Sequence, residues 1–537
     1  MMHSLRPSSL FRPSSRPTSP SPVPTPTRSD TPASGDRAPR AITKLSLTTF
    51  RRPSPAPSPL PTAAIVQDGS YLDVLGLKLS EAVSKALAQP PGPAAPSELL
   101  NGRRPVPAGR GQALGSLIAT ELNASRDNPH LRKAILRCLQ RPLSTLLTKL
   151  SAYLLPLLSS PAFLDPPAPT THNPSLNPTQ NHAIALANFA GELLESFDDL
   201  GLGLDNDPRG DGLKGVRDTL TSTVMRVVNP LSAGIRDDLL GLISGLENTP
   251  TTVAPAAVAP KAVPLTRVGS GGAQHPSIVA LQAITPVYSR ALSRYFVTTA
   301  SQSSLATILI SLIWHGLSAL AYRVPPSPTP PTSPFMASRK VRSTTPPTTP
   351  PSSRFMLKLP PSRPPSPPVE RTAPSVLTDA RMLYDLLSTL PRPSAEKERT
   401  RLAREAVDEA FDGLRAFINL LELTQTNSLG KDTADLVKQL GEVTADLPTL
   451  VALPVLLNNF VFSDQSAPYR NVASMVGLSV EEYRQGCLTG YGRAEECTAA
   501  VGRKVLQSLE KEVIVTVSPH ANAVKQWLEA QVAAVEL

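Results

Sequence analysis

Between Val324 and Ser375 the chain opens with Val-Pro-Pro-Ser-Pro-Thr-Pro-Pro and nears its end through Arg-Pro-Pro-Ser-Pro-Pro. Proline fixes φ and has no backbone N–H, so such a run enters neither a helix interior nor a sheet interior. Few apolar side chains accompany the prolines, and little surface is available to offset the entropy of ordering. The run predicts a disordered Pro-rich linker at 324–375 with folded sequence on both sides. Residues 1–62, rich in Ser, Pro and Arg, read as a disordered tail of the same kind. A helical region over 63–323, with 248–277 as an internal linker, and a C-terminal helical domain over 376–537 complete the division. The expected fold class is mostly α with extensive intrinsic disorder: a loosely packed helical front region and a C-terminal helical bundle.

A formal charge of +10 suggests nucleic acid until it is located along the chain. Residues 1–62 hold 9 basic and 2 acidic side chains, and 324–375 hold 7 and 1. The 376–537 region holds 16 and 22, so it is acidic. Basicity concentrated in the proline-rich segments favours loose attraction to acidic partners or membrane surfaces over specific nucleic-acid readout.

Cys138, Cys487 and Cys497 form no Cys-x-x-Cys pair. With no secretory signal read at the start, they predict reduced thiols in an intracellular compartment, cytoplasm or nucleus. The acid-poor, Arg-rich start also suits a mitochondrial transit peptide, although Pro7, Pro13 and Pro17 interrupt the amphipathic helix that import needs. No two of the seven histidines stand at helical i, i+4 spacing, so neither a metal site nor a cofactor is expected. Phosphate loop, dinucleotide fingerprint, nucleophile elbow and metalloprotease motif are all missing from the sequence.

From about Asp68 the pattern turns helical. Leu72, Leu75, Leu79, Val83 and Leu87 recur every three or four residues up to Pro90-Pro91. Further helices are expected at 111–124, 130–140, 142–158, 181–200, 213–229 and 231–247. Beyond the proline-rich run, a short helix at 377–390 precedes a long one capped by Ser394, with a buried stripe through Leu402, Ala406, Ala410, Leu414, Phe417 and Leu421. A helix over 432–447 and an apolar, Pro454-containing core helix at 449–462 follow. Ser479 to Glu482 has the form of a capping box, and two closing helices at 494–514 and 520–535 bring the tail to five to seven.

Ser304 to Tyr322 carries no formal charge at neutral pH and is just long enough to span a bilayer. The default expectation is a buried core helix, and the alternative is a single-span or peripheral membrane anchor at 304–322. Within it, Ile313-Trp314-His315-Gly316-Leu317 resembles the catalytic-histidine neighbourhood of membrane-bound O-acyltransferases. The resemblance implies acyl transfer at His315 and covers about five residues. Members of that family place many spanning helices around an acyl channel, whereas this chain offers one such segment.

Short motifs gather in the proline-rich run. Ser327, Thr329, Ser333, Thr345, Thr349 and Ser366 each precede proline, making them candidate sites for a proline-directed kinase. Lys358, Pro361 and Pro364 fit the basic-x-x-Pro-x-x-Pro pattern that a polyproline II helix presents to an SH3-type groove. Phe335-Met336 and Phe355-Met356 recur twenty residues apart and could dock one partner twice. The sequence thus predicts a non-enzymatic interaction or adaptor protein, with phosphorylatable basic segments and an acidic helical binding domain.

Overall fold

In the computed structural model the described residues are 67–92, 99–204, 212–248, 274–323, 375–426, 433–462, 471–511 and 519–536. Before the proline-rich run they form α1 (Gln67–Ala86), α2 (Arg110–Ala124), α3 (Pro129–Leu158), α4 (Pro178–Asp199), α5 (Lys214–Ser244), α6 (Pro276–Tyr295) and α7 (Thr299–Ala321). After it come α8 (Val376–Ser388), α9 (Glu398–Thr426), α10 (Thr433–Val443), α11 (Thr449–Leu456), α12 (Val472–Val476), α13 (Val480–Cys487), α14 (Tyr491–Glu510) and α15 (Pro519–Glu536). The only β pairing among the described residues is a bridge between Leu100 and Arg103. The mostly-α class expected from the leucine spacing is therefore the one observed.

Two of the expected helix breaks are absent. The expected helices at 130–140 and 142–158 fall in one helix, α3, with Pro142 inside it, and those at 213–229 and 231–247 are joined in α5, which runs from Lys214 to Ser244 with Pro230 inside it. An internal proline removes an intrahelical hydrogen bond and kinks the helix. Here the buried stripe continues through each proline, by Leu139, Leu143 and Leu146 in α3 and by Val227, Leu231 and Ile235 in α5. Burial on both sides of each proline holds the two halves together. α6 has the same character, with Pro286 between buried Leu281 and Tyr288, and sequence reading passed over it.

α2, α4, α5, α7 and α9 form a row of successive neighbours. α1 pairs with α3, which lies against α4 and α5, while α6 bridges α5 and α8. At the other end α10 and α14 pack on α15, and α11 contacts α7, α9 and α14. The described residues on both sides of 324–374 thus share one core and belong to one folded unit. The division that the proline-rich run suggested is one of sequence, not of folded bodies. The cause lies in α7, where 13 of 23 residues are buried. A helix apolar on most of its faces must be surrounded, and α4 and α5 cover it from before the run while α8, α9 and α11 cover it from after.

The region after the run holds eight α-helices among its described residues, more than the five to seven expected. Its long helix starts later than the sequence indicated. Ser394 Oγ accepts from the Glu396 backbone N–H at 3.3 Å within a turn, and α9 begins only at Glu398. Leu402 lies in that first stretch of helix, 72% exposed, and the buried stripe runs instead through Val407, Ala410, Phe411, Leu414, Phe417 and Leu421. Every residue of α11 is buried, as expected of a core helix, and a π-type turn extends it to Val461. The Ser479–Glu482 capping box forms as read, with Ser479 Oγ accepting from Glu482 N at 3.2 Å and Glu482 Oε2 accepting from Ser479 N at 3.0 Å.

Candidate functional site

The carboxy-terminal half of α7 and the two residues after it make a run of buried polar contacts with later parts of the chain. Trp314 Nε1–H donates to the Leu488 carbonyl at 2.7 Å, and its ring lies 4.7 Å from that of Tyr491. Tyr322 Oη donates to the Leu450 carbonyl at 2.9 Å. That bond uses its one proton, so Tyr483 is the donor in the 2.9 Å Tyr483–Tyr322 hydroxyl contact. Burial pushes the Tyr483 phenol far above its ordinary range, and it does the same to Tyr491. Arg323, which directly follows the uncharged Ser304–Tyr322 segment, is itself buried. Its Nε donates to the Leu246 carbonyl and its Nη1 to Asp379 Oδ2, both at 2.6 Å.

His315 borders a cavity of about 250 Å³ between α7, α13 and the end of α5. Its Nδ1 lies 2.7 Å from the Ser311 carbonyl one turn back. A carbonyl only accepts, so Nδ1 carries the proton and Nε2 is the basic nitrogen of the neutral ring. Ser318 and Thr489 also line the cavity, and Glu247 is held there by an ion pair with Arg484. The volume is below the range typical of drug-sized ligands. Gly316 serves packing: a Cβ there would come 2.6 Å from Leu383 Cδ2 on α8.

Two residues that sequence reading left unconnected are brought together at α13 and α14. The Cys487 thiol is pushed up to about 11, first by burial and then by the neighbouring Cys497 thiol. Cys497 Sγ donates weakly to the Gly486 carbonyl at 3.6 Å. The Arg493 and Lys504 cations pull the Cys487 thiol the other way, and burial outweighs them. All three cysteines are free thiols.

The remaining sequence motifs fall elsewhere. Lys358, Pro361, Pro364, Phe335, Met336, Phe355 and Met356 lie outside the described residues, as do Ser327, Thr329, Ser333, Thr345, Thr349 and Ser366. Sequence reading missed Tyr322, Arg323, Asp379 and Tyr483 as a connected set. The one signal was an arginine directly abutting an uncharged apolar run, which demands a counter-charge when the run is buried. No family model, curated protein or solved structure matches the chain.

Proposed function

We propose that the chain is a non-enzymatic interaction protein whose helical body carries proline-rich, basic recruiting segments. The observation that supports this reading most is the use of the buried polar groups. Trp314, Tyr322, Arg323, Asp379 and Tyr483 each make a buried hydrogen bond that ties one part of the fold to another. Groups so committed serve cohesion and leave recognition to the outside of the molecule. The basic excess of 1–62 and 324–375 against the acidic 376–537 region supplies contrasting surfaces for such recognition. The partners proposed are an SH3-type domain at Lys358, Pro361 and Pro364, and a proline-directed kinase at the six Ser/Thr-Pro sites between Ser327 and Ser366. Three free thiols accord with a reducing, intracellular setting.

The test is a panel of SH3 domains presented with the full chain and with its Pro361→Ala/Pro364→Ala variant. At least one domain should bind the parent and lose the variant. Equal binding of the two, or no binding across the panel, removes the SH3 role.

A second reading draws on α7, the one helix among the described residues long and apolar enough to cross a membrane. Membrane insertion would require α7 to leave α5 and α9. Carbonate extraction of the full chain separates the readings, since a spanning protein stays with the pellet and a peripheral one is released.

A further inference from the structure

The helical body holds a second, larger cavity, of about 630 Å³, bounded by α1, α3, α4 and the chain leading into α2. Leu100–Arg103 closes on itself at its rim, with Leu100 N donating to the Arg103 carbonyl at 3.0 Å and Arg103 N to the Leu100 carbonyl at 2.9 Å. Asn101 and Gly102 both take positive φ, 51° and 73°. This is the Asn-Gly form of a tight reversing turn, and it fixes the backbone from which Arg103 and Arg104 project. The Arg103 guanidinium lies 5.3 Å from the centre of the Tyr153 ring, and Tyr153 is 38% exposed. Arg104 Nη1 donates to the Pro91 carbonyl at 3.3 Å, and Arg104 N to Gln89 Oε1 at 3.2 Å. The lower wall is apolar, through Leu87, Leu157 and Leu186.

Two cations thus stand at the mouth of an apolar space, and among the described residues no carboxylate lines it or pairs with either of them. Arg103 meets the Tyr153 ring and Arg104 the backbone carbonyls of Pro91 and Gly92, so an apolar ligand alone would bring no counter-charge to either. The chain's own proline-rich segments are basic and would be repelled. Planar guanidinium groups match carboxylate and phosphate oxygens two at a time. We propose that this cavity binds an anionic amphiphile, with a carboxylate or phosphate head at Arg103 and Arg104 and an aliphatic chain against Leu87, Leu157 and Leu186. The proposal goes beyond the interaction role and does not depend on it.

The test is calorimetric titration of the full chain with decanoate, decyl phosphate and uncharged decanol, alongside sedimentation with phosphatidylcholine–phosphatidylserine vesicles. One of the two anions should saturate a single site, and decanol should bind about tenfold more weakly or worse, because it lacks the charge-assisted hydrogen bonds. Arg103→Glu should weaken the anion by at least about tenfold while leaving the melting temperature in place, since the side chain is exposed. Tyr153→Ala offers a second variant at the same mouth and should also weaken binding. A lack of saturable binding, decanol matching the anions, or Arg103→Glu binding like the parent would each overturn the proposal. Binding to vesicles without binding to either free anion would overturn it as well, in favour of a membrane surface.

Discussion

Arg323 and Asp379 form a buried ion pair at 2.6 Å, their side chains 4% and 1% exposed, across the whole of the proline-rich run. Arg323 Nη2 and Asp379 Oδ1 have no protein partner, so the pair is held by one charge-assisted bond and by Arg323 Nε on Leu246. Removing one partner of a buried pair strands the other charge, which costs more than the pair itself contributes. Asp379→Ala should therefore lower stability to urea by about 3–5 kcal/mol. Replacing both, as Arg323→Met with Asp379→Leu, should recover most of that loss or exceed the parent. A double variant no better than Asp379→Ala would show that the pair stabilises by itself.

The shared core predicts that both sides of the run unfold together. The chain has two tryptophans, Trp314 in α7 and Trp527 in α15, and both are buried. Trp314→Phe and Trp527→Phe each leave one reporter, at different places in the unit. Within each variant, the fluorescence and far-ultraviolet circular dichroism transitions should coincide. Separated transitions would mean that the sequence division at 324–375 is a division of folding after all. Trp314→Phe should also cost about 1–3 kcal/mol, because it leaves the buried Leu488 carbonyl without its donor.

Helix positions were legible wherever apolar residues recur every three or four places, as at Leu75, Leu79 and Val83 in α1 or Leu414, Phe417 and Leu421 in α9. Local rules also found the Ser479 cap, because its partner is three residues away. They failed at Pro142, Pro230 and Pro286, where the penalty of a proline is local but the burial that outweighs it comes from other helices. They placed Leu402 in the core, because periodicity gives a face without saying how far along the helix the neighbours reach. The contacts of Trp314 with Leu488 and of Tyr322 with Tyr483 join positions more than 150 apart, and a single sequence holds no local trace of such pairs.

Alkaline pH should loosen the α13–α14 region first. In the unfolded chain a thiol ionises near about 8.5, whereas burial holds Cys487 to about 11. The unfolded state therefore releases its proton first, and this contribution to stability is complete below about pH 8.5 and lost progressively up to about pH 11. The parent should lose urea stability across that window faster than Cys487→Ala does. Tyr483 and Tyr491 act in the same direction at higher pH, because burial raises both. Parallel losses in parent and variant would place the alkaline sensitivity elsewhere.

The approach of α2 to α4 gives a further prediction, because it is closed by one carboxylate and two glycines. Glu192 on α4 reaches the start of α2, where its Oε1 accepts from Gly109 N at 2.7 Å and its Oε2 from Gly111 N at 2.9 Å. These amides have no partner inside the helix, and a carboxylate there also meets the positive end of the helix dipole. A Cβ at Gly111 would come 2.3 Å from the Phe189 carbonyl oxygen, and one at Gly115 would come 1.9 Å from Ser196 Oγ. The Phe189 obstacle is backbone and cannot rotate away, so Gly111→Ala must push α2 off α4 and pull Gly109 and Gly111 from Glu192. Its cost should exceed that of Glu192→Ala, which removes the cap alone at about 1–2 kcal/mol. Combining the two should cost less than their sum, since the displaced helix has already lost the cap. Urea denaturation of the three variants reads this directly, and strict additivity would mean that α2 keeps its seat when the alanine is introduced.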